Sequence, residues 1–204
     1  MNYITAPTEI ERRSMEIIAP HLRDYNLSEA ETKVYSRLIH AAGDTEYAPL
    51  IKIHPHAIEA AKQALKRGAA IYTDVEMVRT GINKRKLAAL GGEVHCLIAD
   101  EQVAALAKEQ GVTRSMAAMR TFGEKLNGAI VAIGNAPTAL FEVLNMAAEG
   151  IKPAVIIGTP VGFVGAAESK EALARQDIPY ITVLGTKGGS PIAVAAVNAI
   201  MYML

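Results

Sequence analysis

The stretch Ala129–Gly158, AIVAIGNAPTALFEVLNMAAEGIKPAVIIG, decides the fold class. It opens on an apolar run, Ala129–Ile133, that is too short for a buried helix and shows no polar alternation. Such a run suits a strand covered on both faces of a parallel sheet. Gly134–Ala136 reads as a turn. Pro137 fits the first turn of a helix, where its missing N–H has no partner to lose. The helix is predicted from Pro137 to Glu149, and Ala154–Ile157 reads as the next strand. Strand, helix and strand in so short a span make a βαβ unit.

The same alternation extends outward. Further strands are predicted at Ala69–Thr73, Val94–Ala99 and Tyr180–Leu184. Helices are predicted at Asn83–Leu90, Asp100–Gln110, Thr113–Leu126, Gly165–Arg175 and Pro191–Tyr202. The expectation is one α/β domain over residues 1–204, with a helical N-terminal part over 1–68 and a parallel core over 69–204. The core is expected to be a doubly wound, mostly parallel five-stranded sheet flanked by helices. In the N-terminal part, Thr8-Glu-Ile-Glu11 and Ser28-Glu-Ala-Glu31 both read as capping boxes. The first helix runs towards Pro20, the second stops at Gly43, and a third fits Pro55–Arg67. The last helix is apolar nearly all round and needs cover from the core or from a second subunit.

Composition narrows the function. With 21 Lys+Arg against 21 Asp+Glu the net charge is zero, unlike a body that binds nucleic acid by neutralising phosphates. Aromatics are 5% and Trp is absent, so base stacking is not expected to be the main business. One cysteine, Cys96, allows neither an intrachain disulfide nor a Cys-rich zinc site. The N-terminus lacks a basic segment followed by an apolar one, and no apolar run approaches the roughly 20 residues of a membrane span. The expected location is the cytoplasm.

In an open α/β sheet, ligands bind beyond the carboxyl ends of the strands. The segments there are Asp74-Val-Glu76, Asp100, Gly134–Thr138, Gly158–Gly165 and Gly185–Ser190. Three of them are rich in glycine and small polar residues and run straight into a helix. Glycine permits close backbone approach, and a helix N-terminus favours an anion. Three such openings suggest a ligand with several anionic groups. Neither G-x-G-x-x-G after the first strand nor a P-loop order is present, which weighs somewhat against a dinucleotide or a triphosphate and keeps carboxylates plausible. Arg114 offers a fork-shaped donor and Lys187 a mobile cation. His40, in the last turn of its helix, stands off the apolar face of Val34, Leu38 and Ala41. The helix C-terminus, with Asp44 or Glu46, would favour its imidazolium and make it a proton donor. His95 reads as a core residue, and His54-x-His56 has no supporting cluster for a metal. Ser14 sits mid-helix without an intrinsic reason, and no G-x-S-x-G surrounds any serine.

Seven stretches resemble the precorrin-8X methylmutases, called cobalt-precorrin-8 methylmutases where the ring already holds cobalt. They are Ser14-Met-Glu-Ile-Ile, Leu38-Ile-His40-Ala-Ala-Gly-Asp, Asp74-Val-Glu-Met-Val, Thr113-Arg-Ser-Met-Ala, Ala132-Ile-Gly-Asn-Ala-Pro-Thr-Ala-Leu-Phe, Pro160-Val-Gly-Phe-Val-Gly-Ala-Ala-Glu-Ser-Lys and Gly188-Gly-Ser. The resemblance covers almost the whole chain. It implies an isomerase of cobalamin biosynthesis that moves a methyl group from C-11 to C-12 of a tetrapyrrole, giving hydrogenobyrinate or cobyrinate. It implies a homodimer with the ring near the interface, and no cofactor of the protein's own, any cobalt arriving with the substrate. His40 matches the family's functional histidine, with the implied role of sharing a proton with a ring nitrogen. Substrate contacts are expected from Ser14, Arg114, Gly134, Asn135, Ala136, Pro137, Thr138, Pro160, Val161, Gly162, Phe163 and Gly165, with Asp74 and Glu76 as further pocket members. Two other readings remain: an enzyme acting on a phosphorylated metabolite or nucleotide, and a carrier that binds a corrinoid without chemistry.

Overall fold

The computed structural model describes residues 3–204. Helix α1 (Pro7–Ile18) starts differently from the expected capping box. Its N-cap is Ala6, with Pro7 in the first turn and no side-chain cap. Pro7 has no N–H to cap, so the start moves ahead of Thr8. Helix α2 (Glu29–Ala42) does carry the Ser28–Glu31 capping box, and Gly43 stops it in the left-handed conformation (φ 63°).

Strand β1 (Ile51–Ile53) precedes α3 (Ala57–Lys66), and β2 (Ile71–Thr73) follows. Two short helices, α4 (Glu76–Gly81) and α5 (Lys84–Ala89), lead to β3 (Val94–Cys96). Then come α6 (Glu101–Gln110), α7 (Arg114–Phe122), β4 (Ile130–Ile133) and α8 (Pro137–Ala148). The chain closes with β5 (Val155–Gly158), α9 (Ala166–Ala174), β6 (Tyr180–Val183) and α10 (Ser190–Met201).

The sheet has six strands, not five, in the order β1-β6-β5-β4-β2-β3. Five are parallel, and β1 pairs antiparallel with β6, Lys52 opposite Thr182. The added strand comes from the part expected to be helical, so the sheet joins both parts of the chain. Strands β4 and β5 are buried along their whole length, which is why they show no polar alternation. β3 is the other edge, and His95 on it is half-exposed rather than in the core, stacked on Tyr72 with ring centroids 5.2 Å apart.

One face of the sheet is covered by α2, α3, α4 and α10, whose apolar residues form one core with Ile71, Ile130, Ile157 and Val183. The other is covered by α7, α8 and α9 over Tyr72, Val131, Ile133 and Ile156. Helix α10 buries Ile192, Ala193, Ala196, Val197, Ile200 and Met201 against the first core, so the chain itself supplies most of the cover this helix needs. No helix among the described residues is long and apolar enough to cross a membrane.

Candidate active site

Order in the sheet reverses between β2 and β4, so the segments after β2, β4, β5 and β6 gather at one end. Close backbone contacts weld them together. A Cβ at Gly134 would strike the Cα of Ser190, so only glycine lets the β4–α8 turn lie against the start of α10. Gly188 (φ 152°) has no room for a Cβ because the carbonyl oxygen of Thr159 fills that space. The N–H of Gly162 donates to Thr186 O (3.2 Å) and that of Gly189 to Thr159 O (2.8 Å). Pro137, at the start of α8, lies against Gly165. The three glycine-rich loops therefore form one continuous surface.

Asp74 is fully buried and acts inside that surface. Its carboxylate accepts N–H bonds from Gly134 (2.9 Å), Asn135 (2.9 Å) and Ala136 (2.7 Å). Burial pushes its pKa above the ordinary range, and the three donors oppose that rise. The N–H groups expected to receive a ligand anion at this turn are thus already occupied. What the turn offers outward is the exposed Asn135 with the half-buried Pro137 and Thr138.

Thr138 Oγ1 lies 2.7 Å from Thr113 Oγ1, the N-cap of α7. That bond brings exposed Arg114, the first residue of α7, beside the β4–α8 turn. The β5–α9 loop exposes Phe163 (95%) and Val164 (89%) with part of Val161, while Pro160 is buried beneath. Large apolar side chains so exposed mark a surface made for contact.

His40 is exposed at the end of α2. One turn on, Asp44 and Glu46 both bind Lys187 Nζ of the β6–α10 loop, at 2.6 and 3.0 Å. Lys187 holds Asp44's carboxyl below its ordinary range, helped by the Glu46 N–H. Both carboxylates are thus engaged with Lys187. They tie the histidine's helix end to the glycine-rich loops.

Not every expected residue joins this surface. Ser14 is half-buried on α1, where its hydroxyl donates to Ile10 O (2.8 Å), and one chain does not bring it to the loops. Glu76 pairs with Arg79 at the start of α4 and lines a cleft of about 650 Å³ with Tyr72, His95 and Cys96. A groove of about 830 Å³ lies between α1, α2 and the end of α10. Neither cavity includes His40. Among the described residues no group of His, Cys, Asp and Glu could hold a metal ion.

The family model described as precorrin-8X methylmutase matches residues 9–203. The chain belongs to the precorrin-8X methylmutase family. It is 45% identical to a precorrin-8X methylmutase of a Sinorhizobium species, over 98% of this chain and 96% of that one. It is 42% identical to the cobalt-precorrin-8 methylmutase of Salmonella typhimurium, over 100% and 99%. A solved precorrin-8x methyl mutase from Thermus thermophilus superposes with a TM-score of 0.87 at 39% identity, covering 96% of this chain and 95% of that one.

Two buried polar groups of this family member escaped sequence reasoning. Lys170 is fully buried on α9, and its Nζ donates to Lys187 O (2.5 Å). Thr159 Oγ1, at the end of β5, is buried without a hydrogen-bond partner among the described residues. A signal for Lys170 existed: it stands four residues after Ala166 and three before Leu173, both buried, so helical spacing puts it on the inner face.

Proposed function

We propose that the protein moves the methyl group from C-11 to C-12 of precorrin-8X or cobalt-precorrin-8, giving hydrogenobyrinate or cobyrinate. The observation that supports this reading is the continuous surface at the strand ends. The helix end of His40, the apolar loop of Phe163 and Val164, and the exposed Arg114 all adjoin its three welded loops. A flat macrocycle with several carboxylate arms matches both the apolar and the cationic parts.

In this reading His40 donates a proton to a ring nitrogen on the C-ring side. The protonated π-system is electron-poor, the methyl group migrates within the ring, and the proton returns to the imidazole. No atom is gained or lost, so no nucleophile and no cofactor of the protein's own is required. Cobalt, where present, enters as part of the substrate. General acid catalysis of this kind is worth about 10²–10⁴-fold, and holding the ring in a reactive shape supplies the rest. Arg114 and the Asn135–Thr138 and Pro160–Gly165 segments would seat the ring. We further propose a cytoplasmic homodimer whose second copy walls this surface, with the ring near the interface.

The test is direct. Purified protein is added to the metal-free and the cobalt-containing precursor, and the visible spectrum is followed through one turnover. Conversion of either precursor supports the reading. Binding without conversion of either would leave only a corrinoid carrier and overturn it.

A further inference from the structure

Lys170 is a buried cation that the mechanism above does not use. Its side chain is fully buried in the second turn of α9, a place where an ammonium is costly without a carboxylate. No carboxylate among the described residues pairs with it; its one hydrogen bond is to Lys187 O. An ammonium has three donors, so two remain unspent. Gly188, the other half of the peptide that it holds, lies against the backbone carbonyl of Thr159, a residue whose hydroxyl is buried and has no hydrogen-bond partner among the described residues. The buried ammonium and the end of β5 therefore both bear on the Lys187–Gly188 part of the β6–α10 loop. The side chain of that same Lys187 reaches Asp44, next to the end of the His40 helix.

We propose that Lys170 is a positioning residue for the polycarboxylate substrate, its buried ammonium fixing the β6–α10 loop and placing a positive charge directly beneath the surface that the carboxylate arms meet. This rests on the proposed tetrapyrrole reading and deepens it. Burial pulls the Lys170 pKa from 10.5 to about 8, so the group still carries its charge at neutral pH. In a site shielded from water that charge acts on nearby anions more strongly than a surface lysine does. The chain thus draws on an inner cation as well as the exposed Arg114.

The test compares two ligands and two variants. One ligand is cobyrinate and the other is the same ring with its carboxylates converted to amides. Lys170→Met keeps the length of the side chain and removes the charge. It should weaken cobyrinate binding about tenfold or more and leave amide binding within about twofold. Lys170→Arg should recover most of the loss. An equal loss for both ligands, or an unchanged cobyrinate dissociation constant, would overturn the proposal. Should K170M not fold, the ¹⁵N signal of the Lys170 ammonium in the wild-type protein decides. A shift with cobyrinate and none with the amide supports the proposal, and no shift with cobyrinate defeats it. Wild-type protein that binds neither cobyrinate nor hydrogenobyrinate refutes the functional reading as well, whereas normal wild-type binding of either with an unaffected variant refutes only this inference.

Discussion

Replacing Asp74 by alanine should loosen the whole strand-end surface. Three backbone N–H groups, of Gly134, Asn135 and Ala136, lose their acceptor. An unpaired buried donor costs about 1–3 kcal/mol. Gly134 is buried and pays in that range, while Asn135 is exposed and Ala136 half-buried, so water can replace part of their bonds. About 1 kcal/mol for each of those two brings the gross loss to about 3–5 kcal/mol. Relief from burying a carboxylate offsets some of it, leaving about 3 kcal/mol. For a chain of this length that corresponds to a fall in Tm of about 6–12 °C. Urea unfolding should show a lower midpoint with an unchanged slope, because the native core stays as compact as before. Asp74→Asn keeps one acceptor oxygen but turns an amide N–H₂ towards donors, so it should lose at least half as much. A D74A protein that melts within about 2 °C of wild type would refute the claim that this carboxylate holds the turn.

His40→Ala should lower turnover by about 10²–10⁴-fold with an unchanged Tm, since the ring is exposed and no described side chain is hydrogen-bonded to it; near-normal turnover removes its role. Arg114→Ala should raise the dissociation constant for cobyrinate by about 5–30-fold and slow turnover less, as read by titration and single-turnover rates. Between pH 8 and 10.5 wild-type protein should gain up to about 3 kcal/mol of stability relative to K170M, because the folded Lys170 gives up its proton before the unfolded one does; chemical unfolding of both proteins across that range reads the difference, and parallel curves refute it. The Lys187–Asp44 tie should behave oppositely at its two limits. Asp44's lowered pKa keeps its contribution above the ordinary Asp value and loses it as pH falls through the folded one; Lys187's raised pKa keeps its contribution below the ordinary Lys value and loses it as pH rises through the folded one. Amide exchange at Gly188 and Gly189 should therefore be slow between those limits and faster in Lys187→Met; equal exchange in both proteins counts against the tie.

Much of this fold was legible because parallel strands buried on both faces leave a plain mark, as in Ile130–Ile133 and Val155–Gly158. Strand β1 left none. It is three residues long, carries exposed Lys52 at its centre, and lies between Pro49 and Pro55. Only its pairing with β6, far along the chain, makes it a strand. The start of α1 was misplaced because a capping pattern at Thr8 competes with a proline one residue earlier. His95 was assigned to the core since the sequence does not say which strand is an edge. In the site, the glycine-rich loops could be read locally, as they are consecutive residues. The partner of Asp74 lies 60 residues away and those of Lys187 more than 140, so their pairing had no local signature.

The bond between Asp44 and Lys187, together with the packing of α10 on α2, has a consequence for biosynthesis. The helix that covers α2 is translated only after all six strands have been made. Until then the apolar side of α2 waits uncovered. Contacts of such long separation form slowly, and exposed apolar surface in the interval invites aggregation. A nascent chain that stops short of α10 holds every strand of its sheet and Lys187, but it lacks the helix that packs on the helix of its histidine.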